Sequence, residues 1–162
     1  MHIYLSDLTK IYNTNDLLSK INADEYKKYL SFHRKIRANQ FLVAHAIKND
    51  ICNKFKYISI SHKDNLVVVA ASDYPIGIDI EKISEKRDWK LMAEFMGIKN
   101  IDSCMDFYKQ FTLAEARFKM GNASIVNKMF YKTGEYIICV ASGHKNLHPK
   151  WHSPELIPEQ IQ

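Results

Sequence analysis

The sequence predicts an α+β fold made of two similar small halves, each running strand, helix, helix, strand, strand. A chain of 162 residues, of which 46% are hydrophobic, can bury a substantial core. Segments in which apolar residues alternate with others, as in strands, flank segments in which apolar residues recur every three or four positions, as in helices. This order of elements occurs once in residues 1–74 and again in residues 75–145. We therefore expect the halves to pack as one unit with pseudo-twofold symmetry and a ligand-binding cleft at their junction.

The first half opens with a predicted strand over residues 1–5, followed by two helices. Asn22 and Glu25 have the spacing of a capping box, which predicts a helix that continues through Leu30. The second helix is predicted by apolar residues on one face: Phe32, Ile36, Val43, Ala46 and Ile47. Its start carries three cations, namely Arg34, Lys35 and Arg37. Because cations oppose the helix dipole there, this end fits either a bound anion or a solvated basic face.

The remaining elements follow from the same patterns. Alternation and turn residues predict one hairpin at the end of each half: residues 57–61 with 66–71, and residues 128–132 with 135–141. Helical spacing predicts two helices in the second half, one over residues 88–96 and a longer one from Ser103 to Gly121. Four residues of the longer helix are spaced to form a buried stripe: Phe107, Phe111, Ala114 and Phe118. The proline-containing tail, residues 146–162, is expected to run over the surface.

The strand that opens the second half carries the most informative pattern. Three isoleucines alternate with Gly77, Asp79 and Glu81, so the two carboxylates share one face of the strand. Such a pair suits Mg²⁺, because it leaves coordination positions for water and phosphate oxygens. Gly77 leaves room for a ligand or another backbone to come close. Taken alone, the pattern also fits a surface strand with two solvated acids.

Composition narrows the classes of function. A net charge of +5 favours an acidic partner, which could be nucleic acid, a phosphorylated small molecule or an acidic protein. A nucleic-acid-binding domain has only this charge in its favour, so we expect no nucleic-acid partner. No apolar run approaches the length of a membrane span, and the scattered cysteines indicate neither a disulfide framework nor a zinc site. We expect a cytoplasmic protein without a membrane partner.

Three segments then stand in a fixed order, with the sequences Ile-Ser-Ile-Ser-His at 58–62, Ile-Gly-Ile-Asp-Ile-Glu at 76–81 and Phe-Thr-Leu-Ala-Glu-Ala-Arg-Phe-Lys at 111–119. Together they resemble the 4'-phosphopantetheinyl transferase superfamily, and more closely its single-chain, surfactin-synthetase-activating type than the small trimeric holo-acyl-carrier-protein synthases. The similarity covers roughly residues 23–121. It implies the two-half fold and the transfer of the 4'-phosphopantetheine arm of coenzyme A to a serine of an apo acyl or peptidyl carrier protein, with release of adenosine 3',5'-bisphosphate.

The resemblance also implies a set of metal-binding and catalytic residues. Asp79, Glu81 and Glu115 match the family's magnesium ligands. Glu115 also matches the proposed base for the carrier serine, and Lys119 matches the lysine that meets the coenzyme A phosphate under attack or the leaving oxygen. By spacing alone, Glu115 and Lys119 would be a routine ion pair one helical turn apart.

The remaining matches concern coenzyme A binding. Ser61 and His62 match the pair that hydrogen-bonds the coenzyme A phosphates, and Arg37 resembles the arginine of the family's early basic helix. Phe111 and Ala114 stand where the family usually has tryptophan and lysine, and the Gly-Lys-Pro loop ahead of the Ser-His pair is absent. The alternative function is therefore a non-catalytic relative that binds coenzyme A or a carrier protein without turnover.

Overall fold

The computed structural model describes residues 1–10, 14–146, 148–153 and 158–162, which form an α+β fold with two four-stranded sheets. The strands are His2–Asp7 (β1), Tyr57–Lys63 (β2), Leu66–Ser72 (β3), Ile76–Lys82 (β4), Asn127–Thr133 (β5), Tyr136–Ser142 (β6), Lys150–His152 (β7) and Glu159–Ile161 (β8). The α-helices of the described residues are Thr14–Leu18 (α1), Ala23–Leu30 (α2), Lys35–Ile51 (α3), Trp89–Phe95 (α4) and Cys104–Lys119 (α5). No helix within these ranges is both long and apolar enough to cross a membrane.

The two sheets have the same arrangement of their first three strands. The first sheet has the order β2-β3-β1-β7 and the second has the order β4-β6-β5-β8. In each, the opening strand of the half pairs antiparallel with the second strand of the hairpin, β1 with β3 and β4 with β6. The tail, which the sequence predicted only to follow the surface, adds one short strand to each sheet: β7 runs parallel to β1, and β8 runs antiparallel to β5.

The sheets pack face to face, and the helices cover their outer faces. The shared core contains Leu66, Val68 and Ala70 of β3 together with Ile138 and Val140 of β6. The alternate residues of β3 pack instead against α3, and those of β6 pack against α5. Both strands are central in their sheets and covered on both faces, so β3 is buried along its whole length and β6 is buried except at its first residue.

Several helix boundaries confirm the sequence predictions. Asn22 and Glu25 form both hydrogen bonds of a capping box at the start of α2. Ser103 caps α5, and its side chain accepts a hydrogen bond from the backbone N–H of Asp106. Gly121, just beyond the end of α5, has a φ of 66°, a conformation that glycine adopts at little cost. These local signals were readable because they depend on neighbouring residues only.

The predicted buried stripe of α5 is wrong in its second half. Phe107 is fully buried, whereas Phe118 is 83% exposed and Ala114 is also exposed. The buried positions are instead Phe107, Tyr108, Thr112 and Ala116. From Tyr108 onward they step by four residues, and each such step turns about 40° around the helix axis. The contact line therefore winds around α5 as the helix crosses the twisted sheet.

Candidate active site at the junction of the two halves

Strand β2 of the first half faces the free edge of strand β4 of the second. The hydroxyl of Ser59 accepts a hydrogen bond from the backbone N–H of Ile78 at 3.0 Å. The hydroxyl of Ser61 accepts a longer one from the N–H of Ile80, 3.4 Å, and donates to Oδ1 of Asp79 at 2.8 Å. Two serines thus satisfy backbone donors that an edge strand would otherwise expose.

Gly77 allows α5 to lie directly against β4. A Cβ atom at this position would sit 1.8 Å from the carbonyl oxygen of Ala116, so only a residue without a side chain fits here. Of the two neighbours that the sequence allows beside Gly77, a ligand or a backbone, the structure shows the backbone of α5. This close approach brings Lys119 over the strand, where its Nζ donates to Asp79 Oδ1 at 2.8 Å and to the carbonyl oxygen of Ile78 at 3.0 Å.

Asp79 is the centre of this arrangement. Its Oδ1 accepts hydrogen bonds from Ser61 and Lys119, whereas its Oδ2 is buried and has no hydrogen-bond partner among the residues that the structure describes. The residue is only 5% exposed, so the alternative interpretation of a surface strand with solvated acids is wrong for Asp79. Burial follows from its position, because β6 pairs with one edge of β4, β2 faces the other edge and α5 covers the face on which Asp79 lies.

Glu81 is paired with a lysine that the sequence analysis did not single out. Oε2 of Glu81 lies 2.5 Å from Nζ of Lys63, and their side chains are only 16% and 23% exposed. Lys63 follows Ser59 and Ser61 at alternate positions of β2. The period of two could therefore have predicted that its side chain points toward β4, once β2 and β4 were known to be neighbours.

Glu115 lies one turn before Lys119 on α5 and is half-buried. Within the described ranges it forms no hydrogen bond and no ion pair, and the helix pair with Lys119 that its spacing allows is not formed. Lys119 reaches Asp79 instead, since that carboxylate is buried and offers a stronger partner than a half-exposed one.

The described residues contain no group of three histidine, cysteine, aspartate or glutamate side chains already arranged to hold a metal. Asp79, Glu81 and Glu115 nevertheless fit a hard cation in their chemistry. All three supply oxygen donors, which Mg²⁺ prefers, and the unpartnered Oδ2 of Asp79 is an open acceptor in a buried place. The assignment of these three residues as magnesium ligands stays a prediction.

His62 and Arg37 form a second cluster beside Ser61. Nη1 of Arg37 lies 3.0 Å from Nδ1 and 3.2 Å from Nε2 of His62, and it also donates to Gln40 at 2.9 Å. Gln40 is buried and donates in turn to the backbone oxygen of Asp64 at 2.7 Å. Burial, followed by the charge of Arg37, lowers the pKa of His62. A neutral imidazole can accept the hydrogen bond from the guanidinium, so the positive charge of this cluster belongs to Arg37.

Two of the larger clefts of the described residues lie within the second half. One, of about 570 Å³, is lined by residues around α4, and the other, of about 660 Å³, lies beside the turn between β5 and β6. Neither is lined by a predicted site residue. We base the candidate site on the convergence of charged side chains at the junction, because a binding site for a polyphosphate need not be a deep cavity. A cleft at the junction stays a prediction.

A scan against protein-family models and a search of curated proteins both find no match for the chain. The superfamily assignment therefore depends on the three segments that carry the resemblance, and it stays a prediction. What the geometry adds is where these segments lie with respect to one another: residues from all three are joined by hydrogen bonds around Asp79.

Proposed function

We propose that the protein is a magnesium-dependent 4'-phosphopantetheinyl transferase, which moves the arm of coenzyme A to a serine of an apo acyl or peptidyl carrier protein. The observation that carries this proposal is the contact of Ser61 and Lys119 with the same oxygen of Asp79. The three residues come from segments well separated in sequence, and the sequence resemblance matches each of them to the family's site. The matching arrangement of three strands in each sheet agrees with the pseudo-twofold architecture of that family.

In this proposal Asp79, Glu81 and Glu115 would hold the magnesium ion, whose chemistry would be to neutralise charge on the pyrophosphate. Glu115 would accept the proton of the carrier serine, since its carboxylate has no partner within the described ranges. The serine oxygen would then form a bond to the phosphorus that bears the pantetheine arm. The bond from this phosphorus to the bridging oxygen would break, and adenosine 3',5'-bisphosphate would leave with that oxygen.

Lys119, Ser61 and the cluster of Arg37 with His62 would bind the phosphates of coenzyme A. Lys119 is held at the junction by Asp79 and would donate to the phosphate under attack or to the leaving oxygen. Arg37 supplies a permanent charge, and neutral His62 offers a ring N–H as a hydrogen-bond donor. The reaction would take place in the cytoplasm, which agrees with three cysteines that are all free of disulfide bonds.

A second candidate function, binding of coenzyme A or a carrier protein without turnover, is favoured by one specific observation. The two strand carboxylates are already neutralised by lysines, Asp79 by Lys119 and Glu81 by Lys63. A protein that only binds its ligand could keep this arrangement permanently, because it would have no need of a metal.

One experiment tests the proposal and separates the two candidates. The protein is incubated with coenzyme A, Mg²⁺ and a panel of apo carrier proteins, and the mass of each carrier is measured. We expect one or more carriers to gain the phosphopantetheine mass, and the gain to require Mg²⁺. Coenzyme A binding without any mass gain across the panel would support the second candidate.

A matched pair of variants links the activity to the site. Asp79→Asn keeps the shape of the side chain but removes its charge, and we expect it to abolish transfer. Asp73→Asn makes the same change at an exposed position of the loop between β3 and β4 and should transfer normally. Normal transfer by Asp79→Asn, with its fold intact by circular dichroism, would contradict the assignment of Asp79.

A further inference from the structure

Lys63, the partner of Glu81, has no role in the transferase function proposed above. Lys63 is the last residue of β2, and Ser59, Ser61 and Lys63 occupy alternate positions that face β4. Strand β2 thus gives the junction two hydroxyls and one cation. Lys63 lies against the only other carboxylate on the Asp79 face of β4, with Nζ 2.5 Å from Glu81 Oε2.

The pair of Lys119 with Asp79 is its counterpart from the second half. Each carboxylate therefore has one ammonium partner, so that two negative charges face two positive charges. Both carboxylates are largely buried, with side-chain exposures of 16% for Glu81 and 7% for Asp79. Buried charges need such compensation, because the loss of hydration costs several kcal/mol for each ion.

A divalent cation would supply the same compensation to the same carboxylates. It could not simply add to the present arrangement, since it would meet two ammonium groups at close range and the resulting charge would be uncompensated in a buried place. Asp79 Oδ2 and Glu81 Oε2 are both buried without a hydrogen-bond partner among the described residues, but Oε2 of Glu81 lies 2.5 Å from Nζ of Lys63 in an ion pair. A cation that binds these two oxygens would therefore displace Lys63.

We infer that Lys63 and Lys119 are exchangeable counter-cations: they neutralise Glu81 and Asp79 when no divalent cation is bound, and a bound cation turns them toward the phosphates of coenzyme A. The second part of this inference rests on the proposed function. Lys63 then supplies an ammonium group that Ala114, which stands at the family's lysine position, cannot supply. Exchange keeps the two strand carboxylates neutralised before binding and makes two ammonium groups available when the anionic substrate arrives.

Lys63 is the more readily released of the two lysines. Its Nζ contacts Glu81, with no other hydrogen-bond acceptor in the parts of the chain that the structure describes. Lys119 has a second acceptor, the carbonyl oxygen of Ile78 at 3.0 Å. Lys63 also stands at the end of its strand, next to Asp64, whose positive φ of 48° marks the turn. A long side chain at a strand end can move without disturbing the ladder between β2 and β3.

The test uses Mn²⁺ as the probe, because it takes the same oxygen ligands as Mg²⁺. Mn²⁺ is titrated calorimetrically into the whole protein without coenzyme A. Lys63→Met removes a competing cation, so we expect it to bind Mn²⁺ about tenfold more tightly than the unchanged protein. Lys63→Arg keeps the charge and should stay close to the unchanged protein. Lys132→Met removes the same charge from an exposed position of β5 and should change the affinity less than about twofold.

The second measurement is coenzyme A binding in the presence of Mg²⁺. Here Lys63→Met should weaken binding by about tenfold, which is opposite in sign to its effect on Mn²⁺, because the released ammonium is missing. If Lys63 only stabilised the fold, Lys63→Met would weaken both Mn²⁺ binding and coenzyme A binding. Weaker or equal Mn²⁺ binding by Lys63→Met, or no Mn²⁺ binding by any of the four proteins, would overturn the exchange. The Mn²⁺ measurement needs no carrier protein. If Lys63→Met binds Mn²⁺ more tightly but no carrier gains phosphopantetheine, the proposed function is refuted and the exchange of Lys63 is not.

Discussion

The two halves of the molecule have the same strand order but bring opposite chemistry to their junction. The edge strand of the first half, β2, presents Ser59, Ser61 and Lys63, whereas that of the second half, β4, presents Asp79 and Glu81. The helices also pack differently in the two halves. Side chains separate α3 from β3, whereas the backbone of α5 lies directly against β4 at Gly77. The junction thus joins the first hairpin strand of one half to the opening strand of the other, and complementary side chains on these non-equivalent edges hold the halves together.

The largest expected effect tests the close approach of α5. Gly77→Ala would put a methyl group 1.8 Å from a backbone oxygen of α5, so the helix must shift. We expect a loss of about 3 kcal/mol in the free energy of unfolding, at the upper end of overpacking effects. Gly143→Ala is the control, because its Cβ would lie in ordinary contact with Pro75 at 3.5 Å. Urea denaturation measures both, and equal stabilities for the two variants would show that α5 can move without cost.

A smaller effect separates the two serines of the β2 edge. Ser59→Ala leaves the buried N–H of Ile78 without its acceptor, which should cost about 1 to 3 kcal/mol in unfolding free energy. Ser61→Ala should cost a similar amount and should also weaken coenzyme A binding, since Ser61 is a proposed phosphate contact and Ser59 is not. Urea denaturation and calorimetric titration give the two quantities. Equal losses of coenzyme A affinity in both variants would mean that the serines act only by joining the halves.

The tail strands predict a difference in pH dependence between the sheets. β7 is held to β1 by contacts that include His2 Nδ1 with His152 Nε2 at 2.8 Å, and burial lowers the pKa of both histidines. The folded state therefore binds fewer protons than the unfolded state. The stabilising contribution is complete above the ordinary histidine pKa of 6.5 and is lost as the pH falls through the lower folded values.

Hydrogen exchange of the tail measures this effect. Between pH 7.5 and pH 5.5, the protection factor of the Lys150 amide, which donates to the carbonyl oxygen of Met1 at 3.1 Å, should fall several-fold, because protonated histidines beside Lys150 and the amino group of Met1 repel one another. Protection in β8, which has no histidine, should change less. His2→Gln should remove most of the difference. If protection changed equally in β7 and β8, the pH response would belong to the whole fold and not to the two histidines.

The smallest expected effect concerns the missing lysine of α5. Ala114 is exposed, so Ala114→Lys can add an ammonium group without disturbing the core. We expect coenzyme A binding to tighten by about threefold, less than a full charge-assisted hydrogen bond gives because the position is solvated. Helix stability should not change, since alanine and lysine have similar propensities. Gln110→Lys adds the same charge one turn earlier on α5, and equal tightening by both variants would show a general effect of charge.

The sequence predicted the features that depend on neighbouring residues. The capping box of Asn22 and Glu25 and the end of α5 before Gly121 are examples, since each requires only a few positions. The exposure of Phe118 was missed because it depends on the angle at which α5 crosses its sheet. The burial of Asp79 was missed for a related reason: its cover comes from α5 and its partners come from both halves, and neither is visible in a period-two pattern.

The candidate site was only partly readable for the same physical reason. Resemblance pointed to Ser61, Asp79 and Lys119, which the fold joins by hydrogen bonds. The ion pair of Lys63 with Glu81 bridges two strands of different sheets, and no rule on spacing within one element connects them. The short strands of the tail were also missed, since three residues are too few to show a period.

The two tail strands close their sheets over very different lengths of chain. β1 pairs with β7, so nearly all of the described chain lies between these two strands, whereas β5 and β8 are separated only by β6, β7 and the segments around them. Because loop closure costs more conformational entropy as the separation grows, the edge of β1 is the harder one to complete. While β7 is not in place, that edge stays open, and the first sheet can offer it to other chains.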